Sequence, residues 1–158
     1  MTFLFAFEDR QSMMSSITEH AIIIGYGDTK IYSFIDPLCP KSQDFIEHIS
    51  TREDLLKDNT YYIFLYKLPL LASKFLIVHI YQSENQLEAL QEVMIYDDYD
   101  VEEDKITTKT KKILHDIQIF SQKLNIKYRP YLLIFDKDSK YCRVSEGTAP
   151  CLEENDYH

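Results

Sequence analysis

Cys39 is the residue whose type and setting best suit nucleophilic chemistry. It follows a strand-like apolar run and stands directly before Pro40, at the predicted start of a helix. Proline fits the first helical position because its missing N–H has no partner there. The unpaired N–H groups and the dipole of a helix N-terminus favour a thiolate, and cysteines there have pKa values of roughly 3.5–7.5. With Lys41 adding positive charge, we predict that Cys39 attacks disulfides; the alternative is a buried, inert cysteine.

The other two cysteines, Cys142 and Cys151, leave three pairing patterns open. An odd count of three does not suit the disulfide framework of a small secreted fold. Cys142 and Cys151 could bridge if the chain turns at Gly147 or Pro150. Cys151 could instead approach Cys39 if the last two predicted strands form a hairpin, or both cysteines could be unrelated to the site.

Other chemistry-bearing patterns are weak. The histidines lack metal-ligand spacing with cysteine or carboxylate, and no glycine-rich phosphate loop is present. The acidic run 97–104 lacks the glycine and the oxygen spacing of a calcium loop. We therefore predict no metal and no cofactor. The histidines are His20, His48, His79, His115 and His158.

Composition favours one globular domain of 158 residues, with 45% hydrophobic and 27% charged residues. A net charge of −9 excludes the basic footprint of a nucleic-acid-binding protein. No stretch approaches the roughly 20 apolar residues of a membrane span. The apolar start 1–7 is either the remainder of a trimmed leader or simply a hydrophobic beginning.

The patterns predict the order β-β-α-β-α-α-α-β-β. We expect an N-terminal arm over 1–19 and an α/β domain over 20–158, with a mixed central sheet and helices on both faces. The first two strands are predicted to form a hairpin, and 52–59 a polar connection. The predicted strands are 21–24, 30–35, 61–66, 131–135 and 141–145. One predicted helix begins at 39–40, and three more cover about 71–82, 84–94 and 108–124.

The run Phe34-Ile-Asp-Pro-Leu-Cys-Pro-Lys-Ser42 resembles the active-site segment of the bacterial periplasmic disulfide isomerases and oxidases, the Dsb branch of the thioredoxin superfamily. Phe64-Leu-Tyr-Lys-Leu-Pro69 is similar to that family's strand leading into an inserted helical subdomain. Leu124-Asn-Ile-Lys-Tyr-Arg-Pro-Tyr-Leu-Leu-Ile-Phe135 is similar to its loop and fourth strand. The resemblance covers about 20–145.

This resemblance implies a thioredoxin-like fold with a helical insertion at about 70–107. It also implies that Pro130 is a cis proline facing Cys39, in a loop that pairs with an extended substrate segment. Arg129 and Pro130 would position the substrate, and Pro40, Lys41 and Ser42 would complete the active-site motif around Cys39.

Two positions depart from the family pattern. Ser42 stands where the family has its second cysteine, so this motif cannot release itself from a mixed disulfide. Arg129 stands where the family has a small or β-branched residue before the proline. An arginine there would stabilise a thiolate or select an acidic or glutathione-like ligand.

The function implied is thiol–disulfide exchange of isomerase or reductase type, on protein or glutathione disulfides, through Cys39 alone. The implied location is the bacterial periplasm, with the cytoplasm as the alternative, and the expected state is a monomer without a membrane span. Two alternatives stay open. One is a redox-silent module that binds extended polypeptide or a partner protein, and the other is a Cys-to-Ser trapped variant of a dithiol enzyme.

Overall fold

The computed structural model describes residues 14–102, 105–137 and 142–146. The strands are Ile22–Gly25 (β1), Thr29–Ile35 (β2), Asn59–Leu65 (β3), Tyr131–Phe135 (β4) and Cys142–Glu146 (β5). The helices bounded within these residues are Pro40–Ser50 (α1), Glu53–Asp58 (α2), Lys74–Gln82 (α3), Gln86–Gln91 (α4) and Thr108–Lys123 (α5). A 3-10 turn covers Thr18–His20, and a π-helical turn, Glu92–Tyr96, continues α4. Three parts of the sequence predictions lie outside the described residues: most of the N-terminal arm, residues 103–104 of the acidic run, and Cys151.

The strands form one mixed sheet in the order β1-β3-β2-β4-β5. β2 and β3 are parallel, and the other pairs are antiparallel. The mixed sheet is confirmed, and so is the hairpin of the last two strands. The hairpin predicted for the first two strands is wrong, because β3 lies between them and pairs with both.

Two glycines explain why β1 passes to the far side of β3. Gly25 has a φ of +90°, and a Cβ on Gly27 would lie 2.0 Å from the carbonyl carbon of Asp58. The N–H of Gly27 donates to the carbonyl oxygen of Asn59 at 3.0 Å. This close approach fixes the segment after β1 against the start of β3, so β1 pairs there instead of folding back on β2.

Alternation along the strands places α1 and α5 on opposite faces of the sheet. Phe34 of β2 stacks on Phe64 of β3 at 5.2 Å and on Phe120 of α5 at 5.7 Å. Tyr61, whose side chain points to the other face of β3, meets Phe45 of α1 edge to face at 5.9 Å. Layers on both faces explain the unbroken buried run over 31–35 in β2.

The segment 52–59 was predicted as a polar connection but contains α2. Its Leu55 and Leu56 pack against the core as half-buried side chains, and Glu53 and Asp54 lie in the first turn, where acidic residues favour a helix. Among the described residues, no helix has the length and apolar character needed to cross a bilayer.

Candidate active site

The active-site motif lies at the junction of β2 and α1. Cys39 is the N-cap residue of α1, with extended backbone angles of φ −78° and ψ 118°, and Pro40 begins the helix. The Cys39 N–H donates to the Asp36 carbonyl oxygen at 3.0 Å, and its carbonyl oxygen accepts from the Gln43 N–H at 2.9 Å. Cys39 therefore stands at the helix N-terminus, where the sequence predicted it.

The sulfur of Cys39 is covered and oxidised. Cys39 has no exposed surface, packs with Leu68 and Leu71, and is disulfide-bonded. The Cys142 Sγ lies 3.7 Å from the Arg143 carbonyl oxygen. The pairings considered for Cys151 lie outside the described residues.

The Arg129–Pro130 peptide bond is cis, as the resemblance implied. The Cys39 Sγ lies 3.9 Å from the Arg129 carbonyl oxygen. Antiparallel pairing of β2 with β4 sets Tyr131 opposite Phe34, so the start of β4 lies beside the end of β2. This register brings two segments that are 90 residues apart in sequence to one edge of the sheet.

The other motif residues have different environments. Ser42 is fully buried, and its Oγ accepts a hydrogen bond from the Asp36 N–H at 3.2 Å. The serine thus joins the end of β2 to the first turn of α1. Pro40 is exposed and Lys41 is half-buried in that turn.

Asp36 is a structural centre of the site that the sequence analysis missed. It is fully buried, and its carboxyl oxygens accept the N–H of Leu38 at 2.8 Å and that of Leu68 at 2.6 Å. The Ser73 hydroxyl donates to the same carboxyl group. Asp36 therefore holds together the end of β2, the turn before α1 and the segment after β3. The available signal was an aspartate directly after a buried strand, since such a residue is rarely buried without partners.

Arg129 is also buried, being 2% exposed, and its guanidinium faces the segment after β3. Nε donates to the Tyr66 carbonyl oxygen at 2.8 Å, and the other nitrogens donate to the carbonyl oxygens of Tyr128 and Lys67 at 3.2 and 3.4 Å. The guanidinium carbon lies 4.2 Å from the Tyr66 ring centroid. Burial lowers the pKa of Arg129 to about 10, although Tyr66 and Asp36 oppose this effect. The backbone of Arg129 approaches the sulfur, while its side chain anchors the loop.

Several solved structures share this fold. The disulfide interchange protein of Neisseria gonorrhoeae is similar with a TM-score of 0.61 and 15% identity, over 84% of this chain and 89% of that one. Pseudomonas aeruginosa DsbA2 is similar with a TM-score of 0.61 and 14% identity, over 85% of this chain and 88% of that one. Helicobacter pylori DsbG is similar with a TM-score of 0.60 and 18% identity, over 81% of this chain and 61% of that one.

No family model and no curated protein sequence matches the chain. At these identities the similarity to solved structures concerns the fold. The thioredoxin-like α/β fold predicted from the sequence is confirmed, and it is the fold of the Dsb proteins.

Proposed function

We propose that this protein exchanges thiols and disulfides with polypeptide substrates, with Cys39 as the attacking residue. The observation that carries the proposal is the position of Cys39 Sγ, at the N-terminus of α1 and 3.9 Å from the carbonyl oxygen that precedes a cis proline. In the reduced protein, the dipole of α1 would favour the thiolate at its N-terminus.

The exchange step is a displacement at sulfur. The Cys39 thiolate attacks one sulfur of a substrate disulfide, a Cys39–substrate bond forms, and the second substrate sulfur leaves as a thiolate. Attack by another thiol of the same substrate on its mixed-disulfide sulfur gives isomerisation. Attack by an external thiol such as glutathione on the Cys39 sulfur instead leaves the substrate reduced and Cys39 bound to glutathione; a second glutathione then frees Cys39 and leaves as oxidised glutathione.

The surroundings of Cys39 favour an extended polypeptide as the substrate. We expect the loop before β4 to pair with an extended substrate segment beside the sulfur, as the resemblance implies. Leu70 lies between Leu68 and Leu71, which pack on Cys39, and its side chain is 81% exposed. An apolar side chain of the substrate would contact Leu70 while its backbone pairs with the loop.

This activity fits a monomer in an oxidising compartment such as the bacterial periplasm, where disulfides persist. Both the compartment and the oligomeric state are parts of the proposal. Size-exclusion chromatography with light scattering and cell fractionation would test them.

The deciding measurement is the rate of Cys39 alkylation against pH in the fully reduced protein. We expect an apparent pKa well below the ordinary value of about 8.5, and turnover of scrambled ribonuclease with glutathione that Cys39→Ser abolishes. Cys142→Ser is the matched control, because it removes a thiol at the opposite end of β4. An ordinary pKa together with no turnover above that of glutathione alone would contradict the proposal.

The second candidate is a redox-silent module that binds extended polypeptide or a partner protein. Full burial of Cys39 and the serine at position 42 favour it. Such a module would bind unfolded polypeptide equally well before and after Cys39→Ser, and would show no exchange.

A further inference from the structure

A groove beside the active site contains two lysines that the proposed exchange reaction does not use. It has a volume of about 330 Å³ and lies where the segment after β3 meets α3 and α5. Its apolar lining includes Ile77 and Leu114, and its polar lining includes Lys67, Lys74 and the Gln118 amide. Among the described residues that line the groove, none is acidic. An apolar surface with two cations and an amide fits an apolar group that has a carboxylate beside it.

We propose that this groove selects the substrate of Cys39 by binding an apolar side chain and a neighbouring carboxylate of an extended polypeptide. The inference rests on the proposed function and specifies its substrate. The charge of the groove is opposite to that of the whole chain, whose net charge is −9. The segment 66–75 contains both lysines and no acidic residue. An acidic substrate would therefore be attracted here, although the net charge of the chain repels it.

The groove shares a wall with the active site. Leu68, the residue after Lys67, packs on Cys39, and consecutive Cα atoms are about 3.8 Å apart. The Tyr66 N–H donates to the Ile35 carbonyl oxygen at 2.8 Å, which holds this wall against the end of β2. In an extended substrate, a residue about two or three positions from the reacting cysteine would therefore reach the groove.

The lysines are placed to meet a carboxylate. The Lys67 ammonium donates to the carbonyl oxygens of Leu68 at 2.9 Å and Pro69 at 3.1 Å, which fixes it at the rim. An ammonium group has three N–H donors, so the same group can also donate to a ligand. Lys74 is exposed in the first turn of α3. The guanidinium of Arg129 is buried and donates to backbone carbonyl oxygens, so the substrate anion meets the lysines instead.

Activated peptides test this selectivity with the reduced full-length protein. Each peptide contains one cysteine as a mixed disulfide with thionitrobenzoate; the Cys39 thiolate attacks the peptide sulfur, and thionitrobenzoate leaves as a thiolate. The peptides differ only in a residue next to a leucine, about three positions from the cysteine, which is glutamate, glutamine or lysine. One series places this pair before the cysteine and the other places it after. The rate that Cys39→Ser removes is divided by the rate with 2-mercaptoethanol, which corrects for the reactivity of each peptide.

We expect the glutamate peptide of at least one series to react at least fivefold faster than the lysine peptide at about 0.01 M ionic strength, and the ratio to approach one at about 0.5 M. Lys67→Gln combined with Lys74→Gln should remove the preference, and Lys67→Glu combined with Lys74→Glu should reverse it. The matched control is Lys30→Gln combined with Lys57→Gln. It removes the same charge from exposed positions near the starts of β2 and β3, and it should keep the preference.

The peptide series and the salt dependence need no variant, so they decide the proposal even if a double variant does not fold. Equal corrected rates for all peptides of both series would refute the role of the groove. A preference that the glutamate double variant keeps, or that the control variant loses, would also refute it, because the charges of the groove would then not be the source. Absence of Cys39-dependent release from every peptide would instead refute the proposed function, so the two failures are distinguishable.

Discussion

The Sγ atom of Cys39 lies 3.9 Å from the carbonyl oxygen of Arg129, across the gap between the end of β2 and the start of β4. The contact joins the N-terminus of α1 to the loop that contains the cis proline. Under the proposed function, the helix N-terminus would favour a thiolate, and a substrate strand paired with this loop would bring its own sulfur beside Cys39.

Introducing a cysteine within the motif should create a dithiol. Residues three apart on a helix have Cβ atoms about 5–6 Å apart, and the N-cap position gives side chains room to approach. We expect Ser42→Cys to increase insulin reduction with dithiothreitol by about tenfold, because an adjacent thiol releases the mixed disulfide.

The matched control is Thr51→Cys, which adds a thiol at the exposed C-terminal end of α1. It should leave the insulin assay unchanged. An equally slow Ser42→Cys protein would exclude the idea that this chain is a trapped form of an ordinary dithiol enzyme.

Asp36 should be important for stability because one donor from the turn before α1 and two from the segment after β3 converge on its carboxyl group. In Asp36→Asn, an amide N–H₂ replaces one acceptor oxygen and faces a donor. We expect the free energy of unfolding in urea to fall by about 2–4 kcal/mol. Ser73→Ala removes one donor and leaves the carboxyl group with the two backbone donors. We therefore expect this variant to lose about 1 kcal/mol of the free energy of unfolding. Equal losses in the two variants would contradict this account.

Arg129 should stabilise the folded protein through the planar shape of its guanidinium as well as through its charge. Three of its nitrogens donate to carbonyl oxygens, and its guanidinium carbon lies over the Tyr66 ring. Arg129→Lys keeps a cation but cannot reproduce this fork, so we expect a loss of about 2–4 kcal/mol in chemical denaturation. If Arg129→Lys were as stable as the wild type, charge alone would explain the residue.

Asp116 should make stability depend on acid pH. Hydrogen bonds from Lys112 and His20 lower the pKa of Asp116 in the folded protein. A carboxyl group with a lowered folded pKa stabilises the protein above its unfolded pKa of about 3.9 and loses that stabilisation as pH falls through the folded value.

We therefore expect Asp116→Asn to lower the melting temperature by about 1–3 °C at pH 6, and the difference from wild type to shrink steadily below pH 4. Melting curves at pH 6, 4 and 3 measure this effect. A difference that stayed constant across this range would show that the ion pair is not its source.

Local sequence determined much of this protein. Three local features each specify an element from neighbouring residues alone: the apolar run before Asp36, the proline after Cys39 and the period of α5. They can do so because strand and helix periods and N-cap chemistry act over a few positions. Together with the resemblance, they predicted the strand–helix junction and the cis bond at Pro130, and the structure contains both.

Only the tertiary structure decided which segments meet. The position of β3 between β1 and β2 depends on backbone contacts between Gly27 and Asp58–Asn59, which no local pattern encodes. The three donors to Asp36 come from segments up to 37 residues away, and the direction of the Arg129 guanidinium depends on Tyr66. Burial and long-range hydrogen bonding set these features, because desolvated polar groups take whatever partners the packed chain brings to them.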